Sequence, residues 1–361
     1  MPAKDTIAAA TEAQPVAAAT AERASVAQFE LELGPRQSAR TQWPKITLVT
    51  TGKAFAGHSG VIQRNALASW TRLHADVEVI LFGDDAGAAE VARELGLRHE
   101  PRVERNRFGS KRLDYMFARA EEMARHEVLC FCNCDIILLP EFCDALERVR
   151  GRHERFLMVG RRWDTEIREA LDFRDGGWGK RLKGLAHARG VQQPGWSIDY
   201  FTFPRGLYAE MPELVIGRIW WDHWLVWKAR EQRADVVDAS EVVTAIHQNH
   251  GYAYHPQGAR GVWTDEQAAE NYRLAGGRWH LHTIDDATHI LGAAGERANW
   301  ERLWAPYWRY ARPKVAPAWF AMLHLTRPLR KLFGLRAKSG AVAKKRYSEP
   351  APGPHVPGST T

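Results

Sequence analysis

The sequence predicts an α/β protein built on a mostly parallel central sheet flanked by helices. Two observations carry this. From Lys45 onward, short β-rich apolar runs alternate with stretches of helical period, and such alternation implies a parallel sheet with right-handed crossovers. Within it, the run Glu127–Pro140, EVLCFCNCDIILLP, halts on Asn133 and Asp135 before apolar residues resume. A carboxylate in a low-dielectric interior is costly unless paired or holding a cation. The run therefore reads as a central strand whose C-terminal end presents both side chains to a crevice, where open α/β sheets bind ligands. A hard divalent cation carrying phosphate oxygens makes an acid useful there.

The elements follow in order. Residues 1–42 are rich in Ala, Thr, Glu and Gln and read as a disordered arm. Lys45–Thr51 is a strand ended by Gly52, and Val61–Leu73 a helix with Ile62, Ala66, Leu67 and Trp70 on one face. Val77–Phe82 is an apolar strand apart from Glu78, closed by Gly83-Asp84-Asp85. A helix over Ala86–Leu95 and a short strand over Leu97–Glu100 precede a strong helix over Ser110–Arg125, with Leu113, Phe117, Ala120 and Met123 at helical spacing.

Beyond the Cys-rich strand, Pro140–Val149 reads as a helix and Phe156–Val159 as a strand. Arg161–Gln193 is rich in Gly, Arg and Trp, with one short helix expected over Thr165–Phe173; long loops in compact domains tend to be functional. Ile198–Phe203 is a strand and Arg218–Arg230 a Trp-rich helix. Short strands at Val236–Val237 and Val242–Ile246 lead into the block His247–His255, and Thr264–Leu274 is helical. This divides the chain into the arm, one α/β domain over 43–290, a C-terminal helical extension over 291–335 and a disordered basic tail over 336–361.

Among 361 residues the formal charge is +7, with Lys and Arg crowding the C-terminal region. No recognisable nucleic-acid motif, G-x-G-x-x-G loop or Walker A loop accompanies that charge, which argues against nucleic acid as a partner. The stretch Ala316–Leu335 alternates aromatic, Leu and basic residues around Pro328 and fits peripheral contact with a membrane surface. No run reaches the roughly 18 apolar residues of a membrane span. The N-terminal stretch lacks a secretory apolar block, so a cytoplasmic location is expected. Cys130, Cys132, Cys134 and Cys143 read as small buried hydrophobes rather than a disulfide framework.

Further constellations carry chemistry. His247 and His250 follow a predicted strand and share a face if that turn is helical. Asp222 interrupts the aromatic segment Ile219–Leu225, where poor access of water raises a carboxyl pKa toward the range useful to a base. Asp199 stands at the start of a strand, and Lys111 and Arg112 open the helix before the Cys-rich strand.

The strand Lys45–Thr51, the turn Phe82–Asp85, the Asn-Cys-Asp motif at 133–135, and the later Trp-Trp-Asp and His blocks together resemble the nucleotide-sugar-dependent glycosyltransferases of the GT-A fold, over roughly Lys45 to His255. That family carries a D-x-D motif, so Asn133 is a departure: its amide oxygen is a neutral, weaker ligand. The resemblance implies Mn²⁺ or Mg²⁺ held by Asp135 with His247 and His250, and a UDP- or GDP-sugar donor contacted by Thr50, Asp84, Lys111, Arg112, Asn133 and Asp135. It further implies Asp222 as the base that deprotonates a hydroxyl acceptor. Asp199, Trp220, Trp221 and Trp224 would then bind sugar, and the acceptor would be a glycan or glycolipid, as in surface-glycan synthesis. Two rivals stand beside it. A nucleotidyltransferase of sugar phosphates would also hold Mg²⁺ on strand-end acids, and a degenerate sugar-binding module would explain Asn133.

Overall fold

The computed structural model describes residues 45–304 except 75 and 252–257. The arm over 1–42, the basic aromatic stretch over 316–335, the tail over 336–361 and the end of the His block at 252–255 lie outside the described residues. The chain divides into two units, and the described residues all fall in the first, Met1–Ala305.

The first half alternates as the sequence predicts: β1 (Ile46–Thr51), α1 (Gly57–Trp70), β2 (Val77–Phe82), α2 (Ala88–Glu94), β3 (Arg98–Glu100), α3 (Leu113–Met123) and β4 (Val128–Cys132). Next come β5 (Ile136–Ile137), α4 (Glu141–Arg150), β6 (Phe156–Val159), β7 (Arg162–Thr165), α5 (Trp178–Arg189), β8 (Val191–Gln192) and β9 (Tyr200–Pro204). The last group is α6 (Trp221–Glu231), β10 (Asp235–Asp238), β11 (Ala245–Gln248), α7 (Gly258–Thr264), α8 (Glu266–Leu274), β12 (His289–Gly292) and β13 (Gly295–Ala298).

Nine strands form the main sheet in the order β13-β12-β10-β6-β9-β4-β1-β2-β3. The group β4-β1-β2-β3 is parallel, as is β6-β10-β12, and β9 runs antiparallel between β4 and β6. Every residue of β4 is buried, as expected of a strand covered on both faces. Its side chains alternate between two cores. Cys130 and Cys132 join α1, α2 and α4 on one face, while Leu129 and Phe131 join α3 and α6 on the other. All four cysteines are buried and unpaired.

A second sheet of four strands, β5-β11-β7-β8, lies beside the first. The expected helix over Thr165–Phe173 does not form. Thr165 is instead held in the β7–β11 ladder opposite Gln248, and Ile167 and Phe173 sink into a third core under this sheet. The helix of this region is α5, whose buried Trp178, Leu182 and Ala186 recur every four residues; the intervening glycines and lysines mask that stripe in the sequence. The described part of the expected helical extension also differs. It completes the antiparallel hairpin β12–β13 on the edge of the main sheet, and only Trp300–Leu303 forms a 3₁₀ turn.

Candidate active site

The chain crosses from one sheet to the other through Asn133-Cys134-Asp135, between β4 and β5. The crossing places the motif at a cavity of about 400 Å³, lined by Asn133, Asp135, Asp199, Asp222, His247 and His250 among others. Antiparallel pairing of β5 with β11 sets Ile136 opposite His247, and so brings His247 beside Asp135. His250 reaches the same carboxylate from past the strand end. The two imidazoles converge through strand pairing and the following loop, without the helical turn that their spacing would need to share a face.

His250 Nε2 lies 2.9 Å and His247 Nε2 3.8 Å from Asp135 Oδ2, while Asp135 Oδ1 is buried with no hydrogen-bond partner among the described residues. Parallel pairing of β7 with β11 puts Asp164 beside His247, and Asp164 Oδ1 stands 3.0 Å from His247 Nδ1. A carboxylate behind a ligating imidazole fixes which nitrogen keeps its lone pair. Burial by itself would raise the Asp135 pKa. The hydrogen bond from His250 and the charges of His247, His250 and Arg162 outweigh it and hold the carboxyl well below the usual range. The His250 pKa is correspondingly raised, first by its hydrogen bond to Asp135, against the effect of burial.

One ligand atom from each of Asp135, His247 and His250 lies within 4.8 Å of the other two. With an orphaned buried carboxylate oxygen beside them, these residues fit a divalent cation, which would take the place of the proton His250 shares with Asp135. Two imidazoles and a carboxylate suit a first-row transition ion; Mg²⁺ prefers an all-oxygen octahedron.

Asn133 is tied to a second network through its amide nitrogen. Its Nδ2 donates to Asp199 Oδ1 at 2.5 Å, and Arg162 Nη1 donates to Asp199 Oδ2 at 2.9 Å. Arg162 Nε is also 2.9 Å from Asp164 Oδ1. Burial opposes the charge on Arg162, but Asp199 and Asp164 overcome it and raise its pKa. Asp199 thus closes a network of alternating charge behind the motif.

Asp222 sits in the first turn of α6, two residues after Trp220, which has left-handed backbone (φ 90°). Non-glycine residues held there are strained, and such strain clusters at functional sites. The turn drops Trp221 into the core against Phe131 and Phe201 and leaves Asp222 on the cavity wall. Asp222 Oδ1 is buried without a hydrogen-bond partner among the described residues. Burial, the largest effect, raises the Asp222 pKa, with Asp199 adding to it and His223 opposing.

Other expected positions move by one residue or leave the cavity. Thr50 is buried behind it, and the neighbouring Thr51 lines it. Asp84 is exposed and paired with Arg105 at 2.7 Å; Asp85 faces inward. In both cases the backbone direction alternates along the strand or turn, and the sequence does not show the phase. Lys111 does line the cavity, but its ammonium donates to Thr51 Oγ1 at 2.8 Å, to the Gly52 carbonyl at 2.7 Å and to Asp85 Oδ2. All three protons are engaged in tying the ends of β1 and β2 together. Gly83 accommodates this knot: its φ is +109°, and a Cβ there would lie 2.7 Å from Asp85 Oδ2. Arg112 is outside the cavity, in ion pairs with Glu104, Asp114 and Glu213.

The expected aromatic platform is likewise redistributed. Trp224 packs in the core beside Tyr208 and Trp227, and Trp220 stacks edge-on with Tyr272; neither lines the cavity. Trp221 borders it but is 5% exposed. Trp263 of α7, 58% exposed, is the aromatic face open to the cavity that sequence reasoning missed. Arg162 and Asp164 were missed too, within a loop region singled out only for its length.

Comparison with protein-family models and with curated protein sequences finds no match. Solved structures give distant likenesses. Glucosyl-3-phosphoglycerate synthase from Mycobacterium tuberculosis, in complex with Mg²⁺ and UDP, is 15% identical with a TM-score of 0.42, covering 69% of this chain and 88% of that one. S. aureus TarS 1-349 in complex with UDP is 15% identical, TM-score 0.41, over 64% of each chain. The mannosyltransferase PcManGT from Pyrobaculum calidifontis, in complex with GDP-Man and Mn²⁺, is 12% identical, TM-score 0.34, over 64% of this chain and 67% of that one. The fold described above stands on its own strand order, and the site on its own distances.

Proposed function

We propose that the protein is a glycosyltransferase that moves a sugar from a nucleotide diphosphate sugar to a hydroxyl, assisted by a divalent cation. The observation that carries this is the convergence of Asp135, His247 and His250 on one cavity wall, with Asp222 buried on the same cavity. A cation bound there supplies positive charge to the diphosphate as it departs, usually the largest electrostatic contribution in such a transfer. Asp164 holds His247, and Asp199 with Arg162 holds the motif, so the ligands are oriented before donor arrives. Asp222 takes the acceptor proton, its raised pKa matching the task of a base. The exposed face of Trp263 offers a surface for an acceptor sugar.

Mn²⁺ suits the ligand set better than Mg²⁺, and Asn133 serves as a positioning residue through Asp199 rather than as a ligand. Such a role accounts for Asn133 without a degenerate binding module. The acceptor is proposed to be a glycan or glycolipid, with the basic aromatic stretch over 316–335 contacting lipid. No helix among the described residues is long and apolar enough to cross a membrane. The test is incubation of the full chain with a panel of nucleotide sugars and Mn²⁺. Slow donor hydrolysis, lost in Asp135→Ala, is expected. Pyrophosphate release from a nucleoside triphosphate and a sugar phosphate, or binding of donor without any turnover, would overturn the proposal in favour of the two rivals respectively.

A further inference from the structure

A second constellation stands apart from the cavity, at the edge of the main sheet. His153 follows α4, Asp235 and His289 open β10 and β12, and Glu296 belongs to β13; none lines the cavity. His153 Nδ1 is 2.9 Å from Asp235 Oδ2, and its Nε2 is 2.9 Å from Glu296 Oε1. His289 Nδ1 is 3.6 Å from Asp235 Oδ1, and the two imidazole centroids are 5.1 Å apart. One ligand atom from each of His153, Asp235 and His289 lies within 4.8 Å of the others.

A neutral imidazole has one N–H and cannot satisfy a carboxylate at each nitrogen. One of the two contacts needs a second proton or a metal ion. Glu296 indicates which nitrogen keeps the proton. Its side chain is 7% exposed, and Oε2 has no hydrogen-bond partner among the described residues. This buried carboxylate holds the Nε2 proton and turns the Nδ1 lone pair toward Asp235 and His289, as carboxylates behind metal-bound histidines do. Thr288 Oγ1 lies 2.9 Å from both His289 Nδ1 and the Val236 carbonyl. An ion bound at His289 Nδ1 displaces the Thr288 hydroxyl from that nitrogen and leaves it donating to the Val236 carbonyl.

We propose that His153, His289 and Asp235 bind Zn²⁺, with Glu296 as the positioning residue behind His153. Two imidazoles and one carboxylate match the nitrogen and oxygen preferences of Zn²⁺, and a water completes the tetrahedron. Asp235, 43% exposed, gives the ion its route from solvent. The ion ties the turn after α4 to β10 and to the hairpin β12–β13, fastening the sheet edge that ends the described chain.

The test uses the full chain carrying Asp135→Ala, which removes the carboxylate ligand of the cavity cluster. Calorimetric titration with Zn²⁺ should show one equivalent bound and a raised Tm. Adding His289→Ala should abolish the rise in Tm, and adding Glu296→Gln should weaken zinc by roughly tenfold to a hundredfold. Zinc X-ray absorption of the Asp135→Ala protein should show imidazole nitrogens at about 2.0–2.1 Å. Should His289→Ala fail to fold, Asp235→Asn, exposed and isosteric, takes its place with the same expectation. No zinc bound by the Asp135→Ala protein, or undiminished zinc affinity after the second substitution, overturns the proposal.

Discussion

Asp135 carries one oxygen engaged by His250 and one buried without a partner among the described residues. Asp135→Ala removes the sole carboxylate of the His247/His250 cluster and should abolish turnover with the circular dichroism spectrum unchanged; retained kinetics would remove the metal from the mechanism. Asp164→Asn leaves the ligands in place but loosens His247, and should weaken Mn²⁺ binding by roughly tenfold to a hundredfold. Asp222 adds a pH dependence. Its folded pKa lies above the ordinary 3.8, so the base is ionised only above that raised value and activity falls as pH drops through it. Asp222→Asn should lower kcat by roughly 10²–10⁴-fold and flatten that acidic limb, with donor affinity retained in calorimetry. Asp135 and Asp222 stood out in the sequence as carboxylates interrupting apolar runs, whereas His247 and His250 were noticed for following a predicted strand and given a ligand role only by the family resemblance. Thr51 and Asp85 were not legible, because a sequence shows alternation along a strand without showing which phase faces the ligand.

Elements with strong period were readable, and those held by partners were not. The stripe Ile62, Ala66, Leu67 and Trp70 is buried along α1 as its spacing demands. The two-residue strand β5 exists only because β11 lies opposite, and nothing within Ile136–Ile137 shows that the chain has changed sheets there. β2 carries one exception to its apolar pattern, Glu78, 4% exposed. It accepts from Thr47 Oγ1 at 2.7 Å and from the Arg125 backbone N–H at 2.8 Å, with Arg125 and Arg98 guanidinium groups nearby. Burial alone would raise its pKa, but these donors bring it below the ordinary 4.5. The ionised form therefore stabilises the fold fully above pH 4.5, and that contribution disappears as pH falls through the lower folded value. Glu78→Gln should cost about 1–3 kcal/mol at neutral pH in urea unfolding, and the difference from wild type should shrink in acid.

At the scale of the whole molecule, the alternation of the first half gave away the parallel half-sheet β4-β1-β2-β3. The second half was harder, because β9 and β12 find their neighbours across long stretches of chain. For the C-terminal region the prediction concerns binding: deleting residues after Pro328 should reduce association with anionic liposomes in a sedimentation assay, and unchanged association would leave that stretch a solvated extension.

The inverted strand β9 is all that joins one parallel half of the main sheet to the other. During synthesis, β4 and β6 must therefore wait as unsealed edges until the ribosome has released residues near Pro204, some 45 positions after Val159. A nascent chain arrested before that point exposes two sticky borders at once, and it is there that a chaperone would be needed most.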